Sequence, residues 1–361
     1  MGDIVRLNVP FRQHSTALRQ AALVAAFATQ RRRPDDVFWM KENAELLNVL
    51  DATGACTDPE ALSVHRPFYD QIEDRLGFFP QYYRFLLSIC LDLEDLGIGG
   101  DKGEALVHWV SEAGLADAEL SDLQRAEARR LCLRRGVDPL LHDTGLNDRL
   151  RGFGRRSETF AMPNKKAAYE LTHIVFYLSE YGRKDPDLDD GFIDSLCFAG
   201  TLAFLDMNLD LLSEICIALR FAGTTPPEIW ESWISQQARR FSISSTDATG
   251  VADDYHQYLM VNWHQSLAGA CAFERQVPNG PIRFHQAHPG PGTLRELSEC
   301  MYGLGDRRCA DWPVMRPTIH DRLSSDAVCM LNLAEAATDR FEAFFAGFAR
   351  TGLARLGGDR F

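Results

Sequence analysis

Apolar positions recur along most of this chain with the three-to-four-residue period of an amphipathic helix, and the runs are punctuated by Gly, Pro and Asp. The pattern predicts helices over about 16–30, 35–50, 82–96, 101–113, 120–135, 163–181, 189–205, 206–222, 227–241, 253–270 and 324–349. Asp35, Asp36, Asp58 and Asp189 sit where a helix start favours an acid, and Pro59 sits where a first turn tolerates a missing N–H. Phe341, Phe344, Phe345 and Phe348 fall on one helical face and read as core. Two stretches break the period. Residues 242–250 are rich in Ser, Thr and Gly and read as a loop, and 278–291 reads as a functional loop or lid.

The helical runs close on a recurring glycine: Gly54, Gly97, Gly136, Gly182, Gly223, Gly269 and Gly305, spaced by about forty residues. A left-handed residue commonly ends a helix, and glycine adopts that conformation without steric cost. The spacing fits one helix–turn–helix hairpin per interval, so the expected fold is all-α, built of repeated helical hairpins. Aligned on the closing glycines, 82–97, 167–182 and 207–223 are apolar nearly all round, as inner helices are, and their flanking helices are more amphipathic. Such a two-layer arrangement resembles the α/α toroid of certain glycoside hydrolases, terpene cyclases, prenyltransferases and lanthipeptide cyclases. An open helical solenoid or an elaborated helical bundle gives the same pattern. The expected organisation is an N-terminal arm with a first helix (1–34), one helical-repeat domain (35–353) and a C-terminal tail (354–361).

Polar residues inside apolar helices are the informative exceptions, because burying one costs a few kcal/mol unless it is paired. His173 and Glu214 both stand nine residues before their closing glycines, which places them at one height on related helices. Glu170 and His173 form Glu-x-x-His; Asp206, Asp210 and Glu214 form a stripe at i, i+4 and i+8; Asp253 and His256 form Asp-x-x-His. In chain order these motifs are similar to the di-metal carboxylate sites of helical bundles, with Asp92 or Glu45 in the first place, although Asp253 stands where that pattern has Glu. Carboxylate oxygens with imidazoles suit a divalent transition metal, iron, manganese or zinc. Glu170, His173, Asp210, Glu214, Asp253 and His256 are therefore the candidate ligands, and His173, Asp210 and Glu214 are also the candidate catalytic groups. Each has a structural reading as well: Glu170 a solvent-facing acid, His173 a core histidine bonded to a carbonyl, Asp206 an N-cap.

Asp187-Leu188-Asp189-Asp190 matches the Asp-x-Asp-Asp acid motif of class II terpene cyclases, but its place after Pro186 suits helix capping better. Asn262 and His264 continue the His256 helix; His285 and His288 lie in a Gly/Pro-rich stretch without zinc-site spacing; Arg283, Arg295, Arg307, Arg308 and Arg316 suit an anion or, more simply, a solvated surface. With a net charge of −13 over 361 residues and no basic stripe, nucleic acid is not an expected partner. No apolar run reaches a membrane span. Nine cysteines without a C-x-x-C point to reduced thiols and a cytoplasmic location. The arginines of residues 4–34 suit the C-terminal dipole of a first helix better than a targeting segment. The expected function is a metal-assisted enzyme acting on a small molecule in a helical cavity. The alternatives are metal-free acid–base catalysis in that cavity, and a protein-binding helical scaffold.

Overall fold

The computed structural model describes residues 15–55, 58–247, 252–287, 290 and 292–351. Helix makes up 65% and strand 3%, so the fold is all-α. The chain forms two compact units, each assembled from separated stretches: Met1–Lys102 with Phe241–Tyr255 and Ala270–Gln286, and Gly103–Arg240 with His256–Gly269 and Ala287–Phe361.

The first unit holds α1 (Thr16–Thr29), α2 (Val37–Ala52), the short α3 (Pro59–Leu62), α4 (Arg66–Asp70) and α5 (Ile72–Phe78), and α6 (Tyr83–Asp95). Side-chain caps fix the starts: Ser15 accepts from the Leu18 N–H at 3.2 Å, and Asp36 from the Phe38 N–H at 2.9 Å. Gly54 ends α2 at φ +62°, and this left-handed turn lets the Ala55 N–H reach the Leu50 carbonyl at 3.0 Å while its own N–H reaches Asp51 at 3.1 Å. All seven recurring glycines hold a positive φ, but Gly182 lies beyond the end of its helix, which closes on the left-handed Glu180 and Tyr181 with the Tyr181 N–H on the Phe176 carbonyl at 2.8 Å. α2 and α6 pack together, with Leu46, Leu47, Leu50, Leu87 and Ile89 fully buried.

Two strands also belong to this unit. β1 (Phe241–Ser245) and β2 (Ile282–Gln286) pair antiparallel, Phe241 opposite Gln286 and Ser245 opposite Ile282. The sequence pattern reads both stretches as loops, apart from Phe241, which it puts at a helix end. β2 alternates buried and exposed residues, with Ile282, Phe284 and Gln286 inward, and its partner lies some forty residues away, beyond the reach of a local pattern. Residues 248–251, 288–289 and 291, and with them His288, lie outside the described residues.

Arg31 ties these stretches together. Its Nε donates to Glu42 at 2.8 Å, and its Nη1 and Nη2 donate to the two oxygens of Asp253 at 2.8 and 2.9 Å. The guanidinium also lies about 5 Å from the rings of Phe27, Tyr255 and Phe284. Arg32 adds a second bond to Glu42 at 2.8 Å. These arginines are thus ion-pair partners, where the sequence suggested that they complement a helix dipole.

The second unit contains α7 (Lys102–Glu112, from Gly103 onward), α8 (Asp122–Leu133), α9 (Leu146–Gly154), α10 (Ser157–Phe160), α11 (Lys165–Leu178), α12 (Asp190–Leu205), α13 (Leu209–Phe221), α14 (Glu228–Ala238), α15 (Tyr255–Leu267, from His256 onward), α16 (Thr293–Leu304), α17 (Trp312–His320), α18 (Ser325–Ala337) and α19 (Phe341–Phe348). α12 packs on α13, and α11 on α13 and α8. Gly200 in α12 allows a close approach, since a Cβ there would lie 2.4 Å from the Trp230 ring. The expected C-terminal helix is two helices, because Thr338 turns extended at φ −145° and ψ 140° between them. The phenylalanine stripe of α19 is buried, as its spacing predicted. Asp206 closes α12 instead of opening α13; Met207 is left-handed, and the Asn208 side chain caps α13 by accepting from the Leu211 N–H at 3.2 Å. Asp189 caps α12 through the Phe192 N–H at 3.1 Å, which gives the Asp-x-Asp-Asp stretch a structural role. Among the described residues no helix is long and apolar enough to cross a membrane.

In the first unit His65 is fully buried, and its Nε2 meets the Asn43 carbonyl oxygen at 2.8 Å while its Nδ1 has no partner. An amide oxygen only accepts, so Nε2 carries the proton and the ring is neutral; burial lowers its pKa to about 4. The unfolded chain therefore takes up the proton first as pH falls. Stability is complete above about 6.5 and declines toward pH 4, by about 3 kcal/mol in all. Urea unfolding between pH 7.5 and 4.5 should show this slope, and His65→Gln should flatten it.

Candidate functional site

The apolar helices α11, α13 and α15 of the second unit bring four of the six candidate residues together. Asp210 and Glu214 stand one turn apart on α13, and His256 stands at the start of α15. One ligand atom from each of Asp210, Glu214 and His256 lies within 4.8 Å of the other two, a triad that can hold a metal ion. His173 on α11 is next to it, with Nδ1 3.8 Å from Glu214 Oε2.

Hydrogen bonds fix each group. Asp210 Oδ1 meets His256 Nδ1 at 2.8 Å, and Asp210 Oδ2 accepts the Tyr169 O–H at 2.8 Å. His173 Nδ1 lies 2.8 Å from the Tyr169 carbonyl. A carbonyl only accepts, so Nδ1 is protonated, and in the neutral ring Nε2 is the nitrogen that can act as a ligand or a base. Thr172 Oγ1 lies 2.6 Å from Glu214 Oε2 and 2.9 Å from the Tyr169 carbonyl. A hydroxyl has one proton. When it serves the carbonyl, the Glu214 carboxyl must supply the proton of the shorter bond.

Burial divides the two carboxyls. Glu214 is 1% exposed and Asp210 9%. For Glu214, burial dominates and raises the pKa, against the pull of His173. For Asp210, burial also pushes upward, but the charge and hydrogen bond of His256 and the bond from Tyr169 outweigh it and leave the pKa lowered. One carboxyl inclined to hold a proton thus stands one turn from one inclined to lose it, the separation that acid–base sites use. Burial first, then Asp210, raise the pKa of Tyr169, so it stays a donor.

The structure leaves two candidates out of the triad. Both oxygens of Asp253 are held by Arg31 in the first unit, and its Oδ2 also accepts the Phe284 N–H at 2.8 Å; this side chain is the counter-ion of a buried arginine. Glu170 has a side chain 39% exposed and lies 4.0 Å from Lys166, the solvent-facing acid of the structural reading. Asp206 leaves the expected stripe to pair with Lys165 at 2.8 Å. Glu45 accepts the Tyr255 O–H at 2.7 Å, and Asp92 accepts from Ser88 at 3.1 Å, both within the first unit. His264 bonds Glu231 at 3.0 Å, Asn262 bonds the Tyr258 carbonyl, and His285 lies exposed on β2.

The sequence reading contains neither Tyr169 nor Thr172, although the glycine spacing marks Tyr169. Tyr169, Asp210 and His256 each stand thirteen residues before a closing glycine, Gly182, Gly223 and Gly269 respectively, and these three are linked by the two bonds to Asp210. The signal lay in matching positions, not in residue type, since a tyrosine on an apolar helix reads as core.

Over residues 1–351 the chain belongs to the family described as a domain of unknown function, DUF6902. No curated protein and no solved structure matches it.

Because Glu214 takes up a proton more readily folded than unfolded, the stability it provides is present below the ordinary carboxylate range, about 4.3, and declines as pH rises through its folded value. Glu214→Gln keeps the shape without the charge. Its thermal midpoint should equal the parent's near pH 4 and exceed it increasingly toward pH 8; a variant less stable than the parent at pH 8 would contradict this account.

Proposed function

We propose that the α11–α13–α15 site is the centre of a metal-assisted enzyme acting on a small molecule. In this reading Asp210, Glu214 and His256 bind a divalent transition metal, and His173 supplies a fourth ligand or carries a proton through Nε2. Two oxygens and a nitrogen suit manganese, iron or zinc, and three protein ligands leave positions for water and substrate. The metal would polarise a bound substrate oxygen or lower the pKa of a bound water. Tyr169 and Thr172 orient the carboxylates from behind.

The observation that carries the reading is two buried carboxyls one turn apart whose ionisable neighbours are histidines and a tyrosine, with no lysine or arginine paired to either among the described residues. Buried anions without a cation are costly, and a metal ion supplies the missing charge. A proton can fill the same place. The raised Glu214 and its short contact with Thr172 favour that second reading, in which Glu214 is the acid and the Asp210–His256 pair the base. The evenly spaced glycine caps support the finer proposal that the hairpins are repeats of one unit, closed into a toroid or left as an open stack.

Calorimetric titration with Mn²⁺, Fe²⁺ and Zn²⁺ separates the two. Metal dependence predicts one ion per chain, a raised thermal midpoint on binding, loss of binding in Asp210→Asn and His256→Ala, and about tenfold weaker binding in Tyr169→Phe. Substoichiometric metal in the parent, with the same content in all three variants, would remove the metal reading and leave the acid–base one.

A further inference from the structure

Arg130 on α8 is only 5% exposed, and its Nε and Nη1 are buried without a hydrogen-bond partner. Its guanidinium carbon lies 4.4 Å from the centre of the Tyr181 ring and 5.8 Å from that of Tyr177. Aromatic faces stabilise the cation but accept none of its N–H bonds in the guanidinium plane, so a buried charge retains unused donors. Arg31 in the first unit shows the complete arrangement, with two carboxylates on its fork.

The surroundings of Arg130 are built with care. Glu180 and Tyr181 both hold positive φ, 49° and 56°, a conformation that is strained for a non-glycine residue. This strained turn sets Tyr181 against Arg130 and stacks it on Trp263 of α15 at 5.6 Å and 18°. Tyr181 is half-buried. Tyr177, the other ring beside Arg130, meets the His173 imidazole edge-on at 5.9 Å. One tyrosine therefore separates the unused donors from the histidine of the candidate centre.

We propose that Arg130 anchors an oxyanion of the substrate, a carboxylate or phosphate group, held in a bidentate fashion while the reacting end lies toward His173 and the Asp210–Glu214–His256 triad. The substrate class is then a small organic acid or phosphate ester. The direction of substrate toward the triad rests on the preceding proposal; the anion site itself does not.

The test compares the parent with Arg130→Met and Arg130→Lys, using inorganic phosphate and acetate as probes in separate arms, with Mn²⁺ binding measured on the same samples. In the parent, one probe should raise the thermal midpoint saturably and shift the Arg130 Nε–H resonance; the probe acting at lower concentration assigns phosphate or carboxylate. Arg130→Met should bind that probe at least tenfold more weakly, with a probe-free midpoint no lower than the parent's. Arg130→Lys should fall between, because an ammonium lacks the planar fork. Mn²⁺ affinity should be the same in all three. Absence of a saturable shift with either probe in the parent, an unmoved Nε–H resonance, or equal probe binding by the variants would overturn the proposal. Loss of Mn²⁺ binding alone, with the anion response intact, would instead remove the metal centre.

Discussion

An ionised group taken out of water must find its opposite charge or give up its own, and that constraint organises both units. In the first it is met in full. Arg31, Glu42 and Asp253 are almost wholly enclosed, and the fork of the guanidinium is filled by two carboxylates and the Ile282 carbonyl. Such a network contributes little net energy relative to a well-packed apolar one, yet removing one member costs several kcal/mol, because the others remain buried without a partner. It therefore fixes which stretches meet: α1 and α2 from the N-terminal region, the residues before α15, and β2.

In the second unit the same constraint is met only in part. Asp210 has bonds from His256 and Tyr169, whereas Glu214 has Thr172 and a histidine 3.8 Å away. The closely packed apolar helices around them supply the low-dielectric setting that makes this shortage matter. Nearly every residue of α12 and α13 is buried, Glu214 among them. Packing and chemistry are linked at this point: the apolar helices that hold the unit together are what displace the pKa of Glu214.

The backbone of this arrangement is visible in the sequence because it rests on local rules. A helical period, an acid or asparagine at the start and a left-handed glycine at the end are each written within a few residues, and all seven glycines hold a positive φ, Gly182 beyond the end of its helix. His173 and Glu214 were recoverable because the glycines supply a common origin for counting, and Asp210 and His256 because each stands at helical spacing from another candidate, Glu214 and Asp253. What was lost is non-local. β1 and β2 depend on pairing between distant stretches, and β1 carries serines that suit a loop equally well. Asp253 has the right spacing for a ligand beside His256, but its partner, Arg31, lies over two hundred residues earlier. Arg130 was hidden for a related reason: a basic residue among the several arginines of α8 reads as solvent-facing, and only the surrounding fold reveals that it is enclosed.

Where a fold retains unfavourable terms is itself informative. Isolated, each can be a tolerated imperfection: one left-handed tyrosine, one buried arginine with unused donors, one buried carboxyl with a displaced pKa. Here Arg130, Tyr181, His173 and Glu214 are joined through a short series of ring contacts and an ion-pair distance on α8, α11, the turn after it and α13. Apolar substitutions of similar volume would relieve the electrostatic part without disturbing the helices. Their signs are complementary: a cationic fork beside Tyr177, and a carboxyl-rich centre beside the His173 that Tyr177 also touches. A small molecule with an anionic end and a metal- or proton-seeking end would satisfy both at once, and its binding would recover the stability that the free protein forgoes.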